Sequence, residues 1–167
     1  DCDADCDEGL ISAGDLILTE IMPNPAYVTD PAGEWFEVYN TTGTDIKMCG
    51  WTLADNVGTH TMTDDVLVPA GDYAVFGYSA SFTSMGSVTV DYAYGAALLL
   101  ANATDRVVIS DSTTEIDRVS WTSSFPFASG YSMELGSSSY DSVSNDVATS
   151  WCKSTSFYNT SDHGTTG

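Results

Sequence analysis

Hydrophobic and polar residues alternate in short segments along this chain, and helical periodicity is missing. Turn-forming residues return about every eight to twelve positions between these segments, which is the spacing typical of a sandwich or barrel. The pattern therefore predicts an all-β, immunoglobulin-like β-sandwich of about nine antiparallel strands, with an irregular C-terminal tail from Gly136 onward. The predicted strands cover residues 16–22, 35–39, 47–55, 73–78, 87–94, 97–100, 106–111, 115–121 and 131–135.

Alternation within three of these strands indicates which side chains face the core. In the second strand Phe36 and Val38 share one face, and carboxylates are expected to point outward from the strand. The third strand should bury Cys49, Trp51 and Leu53. In the strand at 115–121 the apolar residues fall on opposite parities, which predicts a β-bulge.

The charge balance excludes several classes of partner. The 167 residues carry 24 acids against four Lys and Arg, a formal net charge of −20. Phosphate backbones and anionic membranes both require clustered cations, so we expect neither nucleic acid nor an anionic membrane surface as a partner. The longest apolar run, at residues 96–101, is far shorter than the roughly 20 residues of a membrane span, so direct insertion is not expected.

Cysteine usage points to an oxidising compartment, because the four cysteines form no Cys-x-x-Cys motif. The chain also opens on Asp1 without a basic leader, as a processed or excised product would. We therefore expect an extracellular or cell-surface location. The preferred pairing is Cys2 with Cys6 and Cys49 with Cys152; the alternatives are free buried thiols at Cys49 and Cys152, or bridges from Cys2 and Cys6 to neighbouring chains.

Several spaced motifs resemble the lamin tail domain family. They are Asn24-Pro25, Gly33-Glu34-Trp35, Tyr39-Asn40, Gly50-Trp51-Thr52-Leu53 with Asp55 and Gly58, Pro69-Ala70-Gly71 with Tyr73, and the closing Gly164-Thr165-Thr166-Gly167. The resemblance, over about residues 14–167, is to the exported prokaryotic branch, and Thr166 replaces its usual proline. It implies an immunoglobulin-like sandwich without catalytic residues. The DNA binding of the lamin branch relies on a basic surface that this chain lacks.

Residues 1–13 form a separate acidic, cysteine-containing segment, interpreted as a linker or a calcium-binding site. Alternating carboxylates can converge on Ca²⁺, which prefers six to eight oxygen ligands. The candidate ligands are Asp1, Asp3, Asp5, Asp7 and Glu8. A solvated acidic linker is the competing interpretation.

No nucleophile motif accompanies His60 or His163, so the sequence predicts a protein that is not an enzyme. Two functions stay open. The first is a structural or assembly module of the cell surface, a subunit of a surface layer or filament that pairs with other copies. The second is an adhesion module, accessory to a secreted enzyme, that binds glycans or proteins.

Tyrosines and asparagines supply the remaining candidate sites. Tyr78, Phe82, Tyr92 and Tyr94 are candidates for an exposed aromatic strip able to stack on sugars or on a neighbour, and packing in the core or at a sheet edge is the alternative for each. Sequons at Asn40, Asn102 and Asn159 are candidate N-glycosylation sites.

Overall fold

The structure, a computed structural model, describes residues 10–166 and is built from short strands. The strands are β1 (Leu16–Met22), β2 (Trp35–Asn40), β3 (Ile46–Met48), β4 (Thr52–Ala54), β5 (Thr59–Thr61), β6 (Val66–Val68), β7 (Tyr73–Gly77), β8 (Tyr92–Ala93), β9 (Asp105–Ser110), β10 (Glu115–Trp121), β11 (Met133–Leu135) and β12 (Trp151–Lys153). The predicted all-β class is confirmed.

The strands form three sheets around a main core, and a smaller cluster of Met22, Trp35, Val75, Met85 and Val88 lies beside it. A six-stranded sheet has the order β12-β11-β1-β2-β7-β8, a four-stranded sheet has the order β10-β9-β4-β5, and β3 pairs with β6. The pairs are antiparallel except β7 with β8, which is parallel. Residues such as Leu18, Phe36, Leu53 and Ile109 bring all the larger strands into a single hydrophobic cluster, so the sheets are the layers of a sandwich.

β1 is one of the two middle strands of the larger sheet, and all seven of its residues are buried. Its register against β2 shifts between Leu18 and Glu20, where the ladder passes from the pair Leu18–Val38 to the pair Glu20–Glu37. On its other side Glu20 is paired with Glu134 of β11. The bulge therefore sets a glutamate of β1 directly beside glutamates of both neighbouring strands.

The predicted strands agree with the structure best where the chain runs straight. β1 and β10 occupy the predicted residues, and the register of β10 shifts between Glu115 and Asp117, which confirms the predicted bulge. The predicted strand 47–55 is divided instead into β3 and β4, with Gly50 at φ 69° between them. Trp51 and Leu53 are buried as expected.

The segment from residue 87 to 100 is mostly not strand. Only Tyr92–Ala93 pairs, and a 3-10 turn at Gly95–Ala97 follows it. Three strands lie in segments without a predicted one: β5, β6 and β12. The tail after Gly136 is irregular as predicted, with 3-10 turns at Ser137–Ser139, Ser144–Asp146 and Ala148–Ser150, except where β12 joins the edge of the larger sheet. Over residues 10–166, no helix has the length and apolar character needed to cross a membrane.

Candidate functional site

Three glutamates lie side by side across the middle of the six-stranded sheet. The cross-strand pairs Glu20–Glu134 and Glu20–Glu37 place them on three neighbouring strands. They line a cavity of about 320 Å³ together with Thr19, Tyr73, Tyr140 and Thr165. Because like charges directly opposite in an antiparallel pair are destabilising, this row requires either proton uptake or strong hydrogen-bond donors.

Glu20, the middle member of the row, has strong hydrogen-bond donors and also a raised pKa. Its carboxylate accepts from the backbone N–H of Thr165 at 3.0 Å, from the Thr165 hydroxyl at 2.6 Å and from the Ser132 hydroxyl. Burial raises the pKa of Glu20 to about 8, so the carboxyl retains its proton near neutral pH. A Cβ on Gly164 would lie 2.9 Å from both Glu20 Oε1 and Trp35 Cζ2, so glycine lets the closing segment approach this carboxyl.

Aromatic side chains form one wall of the cavity. The ring of Tyr39 lies 4.8 Å from that of Tyr73 and 5.2 Å from that of Tyr140, and the hydroxyls of Tyr73 and Tyr140 are 3.2 Å apart. Glu37 is only 4% exposed and accepts from the Thr19 hydroxyl at 2.8 Å. The prediction that the carboxylates of β2 point outward is therefore wrong for Glu37, because the chain covers both faces of this strand.

A second group of carboxylates holds the loop at residues 99–101, and we call Glu34, Asp55 and Asp105 the carboxylate clamp. The N–H groups of Leu99, Leu100 and Ala101 donate to Asp55 at 2.7 Å, to Glu34 at 2.8 Å and to Asp105 at 2.8 Å, respectively. Each successive N–H of the loop thus has its own buried acceptor. Such an arrangement fixes the loop without a cation.

The clamp also organises the turn after β4. Asp55 accepts from the N–H of Val57 at 2.7 Å and from the N–H of Gly58, and Asp105 accepts from the N–H of Asn56 at 3.0 Å. A Cβ on Gly58 would lie 1.9 Å from the carbonyl oxygen of Ala97, so no other residue fits there without moving the backbone. The turn and the loop are consequently joined through shared carboxylates.

The environment of Glu34 changes the pKa of this acid. Burial raises the pKa of Glu34 to about 9, and a side-chain hydrogen bond with Asp30 adds to the effect. Asn102 Nδ2 in turn donates to Asp30 Oδ2 at 2.6 Å. The Glu34 carboxyl is therefore hydrogen-bonded to the Asp30 carboxyl, which is itself held by Asn102.

Buried acids of this kind recur through the described part of the chain: Glu20, Glu34, Glu37, Asp55, Asp105, Asp117 and Asp162. Six of them, namely Glu20, Glu34, Asp55, Asp105, Asp117 and Asp162, each accept from at least one backbone N–H; Asp162, for example, accepts from Ala26 at 2.8 Å. The ion pairs Lys47–Asp65 and Arg118–Glu115 instead use partly exposed side chains. Backbone donors thus hold carboxylates in a chain that has few cations.

The predicted aromatic strip of Tyr78, Phe82, Tyr92 and Tyr94 is wrong as an exposed surface. Tyr94 is 2% exposed, stacks on Phe36 at 5.7 Å and donates to the carbonyl of Glu34 at 3.1 Å. Tyr92 is 6% exposed, and its hydroxyl lies 2.7 Å from Nε2 of His60. Residues 92–94 follow the parallel edge beside β7, which turns these two rings into the core. Tyr78 is half-buried, and Phe82 is exposed.

The predicted disulfide between Cys49 and Cys152 is also wrong, because Cys152 is a free, exposed cysteine. It follows the buried Trp151 in β12, so strand alternation turns its side chain outward. Cys49 takes part in a disulfide bond. Cys2 and Cys6, and with them their predicted pairing, lie outside the described residues.

The three sequons differ in exposure. Asn40 is fully buried, and its Nδ2 donates to the carbonyls of Thr44 at 2.8 Å and Val68 at 2.9 Å, so its prediction as a glycan acceptor is wrong for the folded chain. Asn102 is exposed. Asn159 is half-buried and donates to the carbonyl of Gly86 at 2.7 Å. Glycosylation at these last two stays a prediction.

The predicted calcium ligands Asp1, Asp3, Asp5, Asp7 and Glu8 lie outside the described residues. Within residues 10–166, no three His, Cys, Asp or Glu side chains are grouped so that they could hold a metal. His163 packs between the rings of Tyr131 at 4.0 Å and Phe157 at 3.7 Å.

Comparison with known protein families shows which family this chain belongs to. The model of the lamin tail domain matches residues 11–123. The chain belongs to the lamin tail domain family. A search of curated proteins finds no match. The matched part of this lamin tail domain contains β1 to β10 and the whole carboxylate clamp, whereas Glu134, Tyr140 and Thr165 of the cavity come from the tail beyond it.

Sequence reasoning missed most of the buried acids of this lamin tail domain. One signal was available, because Glu20 is the lone charge in the apolar strand Leu16–Met22. For Asp105 and Asp117 the chain offers no comparable signal, since acids are frequent throughout it. Their burial depends on which backbone N–H groups the fold brings near them.

Proposed function

We propose that this lamin tail domain is a non-catalytic structural or assembly module of a cell-surface protein, used outside the cell as a subunit of a surface layer or filament with the assistance of Ca²⁺. The observation that carries the proposal is the use of buried carboxylates as acceptors for backbone N–H groups. A carboxylate that accepts three such bonds, as Asp55 and Asp105 do, holds the frame together, because hydrogen bonds to an ionised acceptor are stronger than neutral ones. The family itself is immunoglobulin-like.

The charge of the chain supports the calcium-assisted part of this proposal. Copies that each carry a formal charge of −20 repel one another, and divalent cations reduce that repulsion more than monovalent salt does. Of the edge strands, β3, β5, β6, β8 and β12 are only two or three residues long, and the seven-residue β10 packs against β1 and the 3-10 turn Ser144–Asp146, which limits strand addition between copies. Cation-bridged contacts between acidic surfaces are therefore the assembly route that we favour.

The disulfide at Cys49 supports an extracellular location, because structural disulfides persist in oxidising compartments. The partners proposed are other copies of the chain, or proteins and glycans of the cell surface. Neither nucleic acid nor a lipid bilayer is among them.

Native size tests the proposal. The full chain is examined by analytical ultracentrifugation and negative-stain microscopy, in millimolar calcium and again after chelation. We expect large particles or fibres that become smaller when calcium is removed. The variant Cys152→Ser serves as the control, since the exposed thiol can cross-link copies by oxidation. A monomer under all conditions would overturn the assembly proposal.

The cavity beside the glutamate row favours the second candidate, an adhesion module. Aromatic rings with carboxylates at their edge form the kind of wall on which sugars stack and to which their hydroxyls donate. A glycan-array screen with the wild-type chain and Tyr140→Ala tests it. Retention of a glycan by a monomer, lost in Tyr140→Ala and kept in Phe82→Ala, would favour adhesion over assembly.

A further inference from the structure

The outer face of the four-stranded sheet carries both arginines of the chain. In β9 the side chains of Val107 and Ile109 lie in the main core, so strand alternation places Arg106 on the outer face. In β10 Val119 lies in the core, and Arg118 is therefore on the outer face as well. The other outer side chains of this sheet are uncharged: Thr52, Ala54, Thr59, Thr61, Val108, Ser110 and Ser120. We call this surface the arginine face.

Arg106 forms no ion pair in the part of the chain that the structure describes. The acids of the four strands are Asp105 and Asp117, which are buried, and Glu115. Glu115 is paired with Arg118. The chain has 24 acids against four Lys and Arg, and yet none of the acids in residues 10–166 forms an ion pair with Arg106. This arginine is therefore available to an acid of another molecule.

The outer face of the six-stranded sheet has the opposite charge, because it carries the glutamate row of Glu20, Glu37 and Glu134. Strands β1, β2 and β11 direct their apolar side chains into the main core, which leaves these glutamates on the other side. Glu20 and Glu37 are buried, whereas Glu134 is half-buried. All three line the cavity of about 320 Å³, and the half-buried Tyr73 and Tyr140 line it too. A guanidinium forms paired hydrogen bonds with a carboxylate and stacks on aromatic rings, so this cavity suits an arginine side chain.

Charge complementarity identifies a second copy of the chain as the occupant. Each copy presents the arginine face on one layer of the sandwich and the glutamate row on the other layer, so two copies can meet with opposite charges in contact. Such a contact joins two different surfaces, and it leaves one surface of each kind open at the ends. It can therefore be repeated from copy to copy, as a filament or a layer requires.

We propose that Arg106 of one copy binds in the cavity beside the glutamate row of the next copy. Its guanidinium would donate to the carboxylate of Glu134 and lie against the rings of Tyr73 and Tyr140. Ser120 is opposite Arg106 in the ladder between β9 and β10, so no long side chain of β10 lies directly across from the arginine. This contact rests on the proposed function, because it presupposes assembly, and it gives the assembly a direction that cation-bridged contacts between acidic surfaces do not.

Association of the full chain in millimolar calcium, measured by sedimentation velocity at increasing protein concentration, tests the contact. Arg106→Gln should weaken association by at least about tenfold, because removing one partner of a charge pair at an interface leaves the other charge unpaired. Lys47→Gln is the matched control. It also removes one positive charge, from the partly exposed ion pair with Asp65, and it should associate as the wild type does.

Charge reversal gives a sharper test of the same contact. Arg106→Glu and Glu134→Arg should each associate weakly alone, because each variant has like charges at the two contact positions. An equal mixture of the two variants should associate as the wild type does, since every arginine of one variant then meets a glutamate of the other. Urea denaturation checks that each variant is folded, and Arg106→Gln keeps the test valid if Glu134→Arg is not.

The outcomes distinguish a failure of this contact from a failure of the proposed assembly. Wild-type particles together with unchanged association of Arg106→Gln would overturn the arginine contact and leave the assembly proposal intact. A wild-type chain that stays monomeric would overturn both. A mixture of folded Arg106→Glu and Glu134→Arg that does not associate would overturn the pairing with Glu134. If Arg106→Gln assembles as before but loses binding to phosphatidylserine vesicles, the arginine face would belong to an anionic membrane contact instead.

Discussion

The carboxylate clamp and the hydrogen-bonded Asp117–Asn145 pair both contain buried carboxylates, but the oxygens of these carboxylates differ in how many hydrogen bonds they accept. In the clamp, Asp55 accepts from three N–H groups and so does Asp105. At Asp117, one carboxylate oxygen accepts twice and the other accepts nothing.

The difference follows from where the acids lie. Asp55 and Asp105 adjoin loops, whose backbone N–H groups are not engaged in a ladder and are free to point at a carboxylate. Asp117 lies within β10, where the neighbouring N–H groups are used for pairing with β9. Burial accordingly raises the pKa of Asp117 to about 7. A buried acid therefore stabilises this fold where the loops supply enough donors.

The largest loss of stability should come from removing a carboxylate of the carboxylate clamp. Asp105→Ala leaves three N–H groups without an acceptor, and a buried unsatisfied group costs about 1 to 3 kcal/mol. We expect a loss of about 3 to 5 kcal/mol in the free energy of unfolding, measured by urea denaturation. Asp64→Ala, in an exposed loop, should change it by less than about 0.5 kcal/mol. A loss below about 1 kcal/mol in Asp105→Ala would show that water replaces the carboxylate.

The next prediction concerns the pH dependence of the free energy of unfolding. The pKa of Glu34 is raised to about 9 and that of Glu20 to about 8, both chiefly by burial. An acid whose folded pKa is raised binds its proton more tightly when folded, so stability falls as pH rises from about 4.5 through these values. We expect the free energy of unfolding to be several kcal/mol lower at pH 9 than at pH 6, because each of the two acids contributes about 1.4 kcal/mol per pH unit below its folded pKa.

Glu34→Gln sharpens this prediction, because glutamine resembles the protonated acid. Its amide can still accept from Leu100 and donate to Asp30. The variant should lose much of the decline between pH 6 and pH 9 while keeping its stability at pH 6. A slope equal to that of the wild type would place the titration elsewhere.

A smaller change in stability is expected at Asp117, whose carboxylate has fewer hydrogen-bond donors than those of the carboxylate clamp. In Asp117→Asn, the amide oxygen can accept from Leu18 in place of Oδ2, and no donor is lost at the unpaired Oδ1. We expect a change within about 1 kcal/mol in the presence of chelator, since removing the charge offsets the altered bond to Asn145. Asp105→Asn should cost more than that, because an NH₂ group would face converging N–H groups. Equal losses in the two variants would erase the contrast between the regions.

The sequence predicted the frame better than the site. A β-rich apolar run located β1, and the opposite parities of the apolar residues in 115–121 located the bulge of β10. Strand alternation was less successful elsewhere. It failed across Gly50, where alternation continues although the chain turns from one sheet to another. It failed again at residues 97–100, since an apolar run in a loop that docks on the core has the composition of a strand.

The site could not be predicted, because its acids look like all the others. Glu37 and Asp105 are buried by contacts from distant parts of the chain, and Thr165 reaches Glu20 across 145 positions. In a chain with 24 acids, composition points to solvated carboxylates. Only the folded structure distinguishes the carboxylates that hold a loop from the carboxylates that face water.

The smallest loss of stability should come from removing an acid that forms an ion pair with Arg or Lys. Glu115→Gln breaks the pair with Arg118, whose side chains are 46% and 42% exposed. Exposed ion pairs contribute about 0 to 1 kcal/mol, because solvent screens the charges and ordering the side chains costs entropy. We expect a loss of at most about 0.5 kcal/mol by urea denaturation, with Asp65→Asn at the pair with Lys47 as a matched comparison. A loss comparable to that of Asp105→Ala would mean that the few cations, and not the backbone donors, hold this acidic chain together.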